Sequence, residues 1–276
     1  MKTLVQFFEE NVDRFSNNPY LWEKRDGAFQ PTTYAETRSL VKNFAAGLHK
    51  LGVKKGDRLA LLAEGRVDWV VAEMAMFYLG AVDVPLSIQL NESTDLIFRI
   101  KHSKSSIAIV SASQTHKINA IRNQLPDLKR VILMDPKEAY EKDEIYMGDV
   151  MKMGEEFLKK HAEEFRKIHE AVQPDDVANI CYTSGTTADP KGIMLSHRNY
   201  TSNTEHAISV MTIPQDYRLF LFLPWDHSFA HTAGLFSFMA TGASLAALEM
   251  GKTGFETRKN IFKNIQEIKP HVMFSV

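Results

Sequence analysis

Tyr182–His197 reads YTSGTTADPKGIMLSH. Thr183, Ser184, Thr186 and Thr187 carry hydroxyls, Gly185 sits among them, and Pro190, Lys191 and Gly192 follow. Such a run offers little apolar surface to bury and suits neither helix nor strand. It follows directly on VANICYTS (Val177–Ser184), an apolar run of strand length. The hydroxyl-rich segment therefore begins where a strand ends, the edge at which open parallel sheets bind ligands. Hydroxyls and backbone N–H groups of a small-residue turn can surround anionic oxygens. Gly185 admits positive φ, Pro190 stiffens the turn and Lys191 supplies a mobile positive charge. Together they fit a polyphosphate cradle. The pattern is not G-x-x-x-x-G-K-[ST], because Lys191 precedes Gly192 and no Ser or Thr follows the lysine.

Outward from this loop, apolar strands alternate with helices. Arg58–Glu64, Ala81–Ser87, Ser106–Ser111 and Arg130–Asp135 have strand character. Val67–Leu79 and Thr115–Leu125 repeat apolar residues at helical spacing. This alternation predicts an α/β protein with parallel sheets covered on both faces. A long polar helix is expected between Tyr146 and Val172, its apolar stripe packing on the core. Beyond the loop, strands are expected at Arg218–Pro224, Ser244–Leu248 and His271–Val276, and helices at Asn199–Met211, Thr232–Ala240 and Glu256–Ile268. The expected organisation is a complete parallel subdomain over 57–196, with 1–56 and 197–276 pairing into an incomplete second one. The chain ends on an apolar strand, so an N-terminal piece of a longer protein is expected.

Composition narrows the partners. The 276 residues are 44% hydrophobic and 24% charged, with a net charge of -1, which gives nucleic acid no bulk electrostatic attraction. The single cysteine, Cys181, excludes an internal disulfide framework and a multi-cysteine metal site; a reducing, cytoplasmic setting fits. Cys181 itself reads as a buried strand residue without a catalytic role. No stretch approaches the ~20 apolar residues that a membrane span needs. His227 and His231 stand four apart, as a helical metal pair would, but no third ligand is evident.

At the opening loop the chain resembles the adenylate-forming (AMP-binding) superfamily of acyl-CoA synthetases, luciferases and adenylation domains. TTYAE (Thr32–Glu36), YLGAVDVPLS (Tyr78–Ser87) and FLPWDHSFAHTAGLF (Phe222–Phe236) resemble further segments of that family in order and spacing. Ala188 departs from the glycine usual after the two threonines. The resemblance implies layered αβαβα parallel-sheet subdomains of an acyl-CoA synthetase N-terminal domain, truncated here. It also implies a carboxylate activated by ATP, with Mg2+, to an acyl-adenylate and pyrophosphate, followed by transfer to the thiol of coenzyme A. Thr183, Ser184, Gly185, Thr186, Thr187 and Lys191 would bind the phosphates, with Thr186 meeting magnesium indirectly through ATP. His227 matches a position near the carboxylate, and Trp225, Phe229 and His231 would line or gate an acyl pocket.

The long helix before the loop and the HSFAHTAGLFSFMATGASLA segment resemble the long-chain fatty acid branch. Alternatives stay open: a ligase for aryl or other acids, one serving a carrier protein, or a non-catalytic nucleotide- or acyl-binding module. For His227 a structural histidine is the competing role, and for Phe229 and its neighbours plain core packing. No segment resembles the family's later motifs, so the chain alone is expected to be inactive. Small molecules are the expected partners, with peripheral membrane contact and homo-oligomers left open.

Overall fold

The computed structural model describes residues 2–183 and 190–274. In chain order the elements are α1 (Leu4–Phe15), β1 (Pro19–Arg25), β2 (Ala28–Thr33), α2 (Tyr34–Lys50), β3 (Arg58–Leu62), α3 (Val67–Tyr78) and β4 (Val82–Pro85). A single π turn, Glu92–Leu96, leads into α4 (Ile97–Ser103). Then come β5 (Ile107–Val110), α5 (Thr115–Ile121), β6 (Arg130–Leu133), β7 (Glu144–Tyr146), α6 (Met147–Glu170), β8 (Val177–Tyr182) and β9 (Gly192–Ser196). The remainder is α7 (His197–Val210), β10 (Arg218–Leu221), a π segment (Ala230–Phe236) running into α8 (Ser237–Thr241), β11 (Ser244–Ala247), α9 (Gly254–Ile268) and β12 (Val272–Met273).

Among the described residues the strands form two sheets, ordered β12-β10-β11-β1-β2 and β7-β6-β5-β3-β4-β8-β9. All pairings are parallel except β1 with β2 and β8 with β9. The parallel expectation thus holds for the body of each sheet, and each carries one antiparallel strand at an edge. The β1–β2 hairpin turns at Asp26 and Gly27, both at positive φ (51° and 80°). Two left-handed residues in a two-residue loop match the twist of the strands they join.

The chain divides into two compact units. One comprises residues 1–39, 64–70 and 198–276 and contains the five-stranded sheet; the other comprises 40–63 and 71–197 and contains the seven-stranded sheet. Residues 40–56, expected from sequence in the smaller subdomain, thus join the seven-stranded unit. The reason is a close crossing of α2 and α6. A Cβ on Gly47 would lie 2.0 Å from the Val150 carbonyl oxygen, and one on Gly154 would lie 1.8 Å from that of Asn43. Residues 64–70 join the other unit. There the Val67 amide donates to the Glu23 carboxylate at 2.7 Å, and Gly65 lies under the Trp225 ring.

The seven-stranded unit is built on Ala60, Leu62, Val84, Val110, Val131 and Leu133, against Ile100, Ile118 and Ile121 from the helices. In the five-stranded unit, Ile261, Ile265 and Ile268 of α9 cover Phe220 and Ala246. Tyr34 is fully buried there, and its hydroxyl donates to the Ala243 carbonyl at 2.7 Å. Thr33 and Glu36 cap the start of α2 reciprocally, at 2.7 Å and 3.2 Å. No helix of the described residues is long and apolar enough to cross a membrane.

Candidate active site

The hydroxyl-rich loop hangs from two antiparallel strands. β8 lies one strand in from the edge of its sheet, parallel to β4, and β9 returns beside it as the edge strand. Register pairs Ile180 with Met194, Cys181 with Ile193 and Tyr182 with Gly192. One step further the Thr183 amide donates to the Lys191 carbonyl at 3.0 Å, closing the base of the loop. Thr183 and Lys191 are both exposed on that base. Ser184, Gly185, Thr186 and Thr187 lie outside the described residues.

The base is braced on one side. The Tyr182 hydroxyl donates to the Arg99 carbonyl at 3.2 Å and lies 2.9 Å from His102 Nδ1. The Arg99 guanidinium sits over the Tyr182 ring, 5.6 Å from its centre. Burial raises the Tyr182 phenol above its ordinary pKa, so it remains a neutral donor. Gly192 makes this packing feasible: a Cβ there would come within 2.9 Å of Ile180 Cγ2. Cys181 is half-buried, less covered than the sequence suggested, and its sulfur lies 2.8 Å from Asn179 Oδ1.

The second set of candidate residues belongs to the other unit. Trp225 is buried; its indole N–H donates to the Leu221 carbonyl at 3.1 Å, and its ring meets Trp69 edge-on at 5.6 Å. His231 is completely buried among aromatic rings, 5.4 Å from Trp69, 5.6 Å from Tyr200 and 6.0 Å from Phe236. Its Nδ1 lies 3.0 Å from the His227 carbonyl. A carbonyl only accepts, so this bond places a proton on Nδ1. The imidazole of His227 is exposed, and the two histidines meet through this backbone oxygen.

Phe229 does not share that enclosure. It is 53% exposed and touches Phe274 edge-on at 5.5 Å. Leu235, Phe236, Phe238 and Met239 are buried core residues. The helix expected over Thr232–Ala240 is present, π-helical from Ala230 to Phe236 and α-helical from Ser237. π turns bulge a helix and re-aim its side chains, and they concentrate at functional sites. Trp69 and Tyr200 were not found from sequence as partners of His231. Each reads locally as a helix residue, and only the tertiary fold brings the three rings together.

An AMP-binding enzyme family model matches residues 8–276. The chain belongs to this family. The AMP-binding relatives include long-chain-fatty-acid–CoA ligase 5 of Rattus norvegicus, 30% identical over 249 residues, covering 83% of this chain and 35% of the relative. Long-chain-fatty-acid–CoA ligase heimdall of Drosophila melanogaster is 28% identical over 289 residues, covering 100% of this chain and 41% of the relative. Among solved structures, the anthranilate CoA ligase AuaEII in complex with anthranoyl-AMP shares the fold with a TM-score of 0.83 at 19% identity. That match covers 99% of this chain and 49% of the other. The chain thus spans less than half the length of these relatives.

Proposed function

We propose that this chain is the N-terminal part of an ATP-dependent acid–CoA ligase whose acid is a long-chain fatty acid. The observation that carries the reading is the loop closed by the Thr183–Lys191 backbone bond at the carboxyl edge of β8, in a chain of the AMP-binding family. In the first half-reaction a carboxylate oxygen of the acid attacks the α-phosphorus of ATP. The bond to the bridging oxygen breaks, pyrophosphate leaves, and an acyl-adenylate remains. In the second, the thiol sulfur of coenzyme A attacks the acyl carbon, AMP departs and the thiol proton is released.

The difficulty of the first step is electrostatic, since two anions must meet and charge moves onto the leaving pyrophosphate. Thr183, Ser184, Thr186 and Thr187 donate hydroxyls to phosphate oxygens, Gly185 lets the backbone approach, and Lys191 neutralises the outer phosphates. The donor set is hydroxyl and ammonium, which suits phosphate oxygens and reaches a magnesium ion only through them. Magnesium, when bound, would supply charge neutralisation on ATP, and Thr186 would reach it only through the nucleotide. His227 acts near the carboxylate, while Trp225 and His231 shape the acyl end. The long-chain assignment is supported by the fatty acid ligases among the relatives and by the aromatic enclosure of His231.

The test is pyrophosphate release by the full-length protein with acetate, benzoate and palmitate, each with and without coenzyme A. Palmitate-dependent release together with palmitoyl-CoA formation is expected. Release driven best by benzoate would move the chain to the aryl branch, and release without thioester would favour a carrier protein as acceptor. No release with any acid would leave a binding module.

A further inference from the structure

The seven-stranded unit has a concave feature at the edge of the sheet opposite the Thr183–Lys191 bond. A cavity of about 290 Å³ lies where β3, β5 and β6 begin. Arg58 opens β3, Ile107 opens β5 and Arg130 opens β6. A chain of backbone bonds holds this edge together: the Ser106 amide donates to Arg58 at 3.1 Å, and the Lys129 amide donates to Ser106 at 2.8 Å. Arg58, Lys104, Lys129 and Arg130 all line the cavity, against one carboxylate, Asp57.

Asp57 accepts from the Lys54 amide at 2.8 Å, and its one charge leaves the four cations in clear excess. Arg58 donates one guanidinium N–H to the Ser103 carbonyl at 3.0 Å, which aims the group without neutralising it. Among the described residues none of the four cations is ion-paired with a carboxylate. The left-handed backbone at Lys104, φ 56°, caps α4 and turns that lysine onto the same edge. Four cations around one concavity create a focused positive field. Two guanidinium groups add the planar fork that matches phosphoryl oxygens.

We propose that this cavity binds a phosphoryl oxyanion carrying two or more negative charges. Its volume suits a pyrophosphate-sized group, free or as the phosphorylated headgroup of a lipid. The site is separate from the nucleotide loop, and it does not depend on the ligase reading.

The experiment uses the full-length protein and inorganic pyrophosphate as the probe. Calorimetric titration is done in a Lys191→Ala background, so that the loop contributes little, and again with Lys129→Gln and Arg130→Gln added. Binding is expected in the first protein and weakened about tenfold or more in the second, with affinity falling as salt rises. Lys104→Gly is the second variant; glycine accepts positive φ, so charge is removed without backbone strain. It should weaken binding in the same direction at unchanged thermal midpoint. A second arm uses phosphatidylcholine vesicles with and without phosphatidylinositol 4-phosphate. Sedimentation with the phosphorylated vesicles alone, lost in both variants, identifies a lipid headgroup; pyrophosphate binding without sedimentation identifies a free ligand. Equal affinity for both probes with and without the cations, or no binding of either, overturns the site.

Discussion

Lys191 and His197 stand only a few residues apart and do opposite electrostatic work. Lys191 is exposed at the base of the loop, and in the proposed function it meets anionic oxygen. Lys191→Ala in the full-length protein should lower kcat/KM for ATP in pyrophosphate release by about a hundredfold, the usual scale for losing one charge-stabilising group. Unchanged kinetics would remove the lysine from the phosphate site. His197 is fully buried, and desolvation pushes its pKa down to about 4 despite the opposing pull of Asp176. The unfolded chain binds a proton near pH 6.5 and the folded one does not until about pH 4. The histidine's contribution is therefore complete above pH 6.5 and is lost as pH falls toward 4, amounting to about 3 kcal/mol. Thermal midpoints at pH 7 and pH 5 should differ more in the native sequence than in His197→Asn. An equal difference would show that this imidazole does not govern the acid response.

Among the elements, the crossing of α2 over α6 is the most exacting contact. Two helices approach this closely only where side chains are missing from both, and Gly47 and Gly154 supply the gaps. Gly154→Ala should destabilise the protein by about 2 kcal/mol, because overpacking outweighs the gain in helix propensity. A urea midpoint unchanged from the native sequence would contradict this. The same crossing explains a boundary that sequence reading misplaced. Residues 40–56 carry no signal telling them which sheet to cover, and their allegiance rests on two glycines far apart in sequence. The strands β3, β5, β6 and β8 were legible because buried parallel strands read as unbroken apolar runs. β9 was not, since Ile193 and Met194 face outward, Met194 being 65% exposed. The first hairpin carried a usable sign in Asp26–Gly27, which marks a two-residue turn. Within the candidate site, the proposal of a phosphate-binding loop rests on its residue types, and the structure describes only its base at Thr183 and Lys191. The rings around His231 could not be read from residue types, because Trp69 and Tyr200 meet it only in three dimensions.

For the molecule as a whole, the relatives set the scale. This chain covers 35% of the rat ligase and 41% of the fly ligase. The Thr183–Lys191 loop base and the His231 enclosure reside in different units of the chain. We expect the 276-residue chain alone to form no palmitoyl-CoA under conditions in which the full-length protein does, as followed by thioester chromatography. Thioester formation by the chain alone at a comparable rate would show that everything needed lies within these residues.

The hairpin beneath the hydroxyl-rich loop has a consequence for how such loops can diversify. Both ends are moored to one rigid sheet, and the registry of the two strands is set by pairs that lie below the mooring. Residues gained, lost or exchanged between Thr183 and Lys191 need not slide either strand. The strand registry thus stays fixed from below, and changes of sequence above it are free to vary what the loop meets one residue at a time.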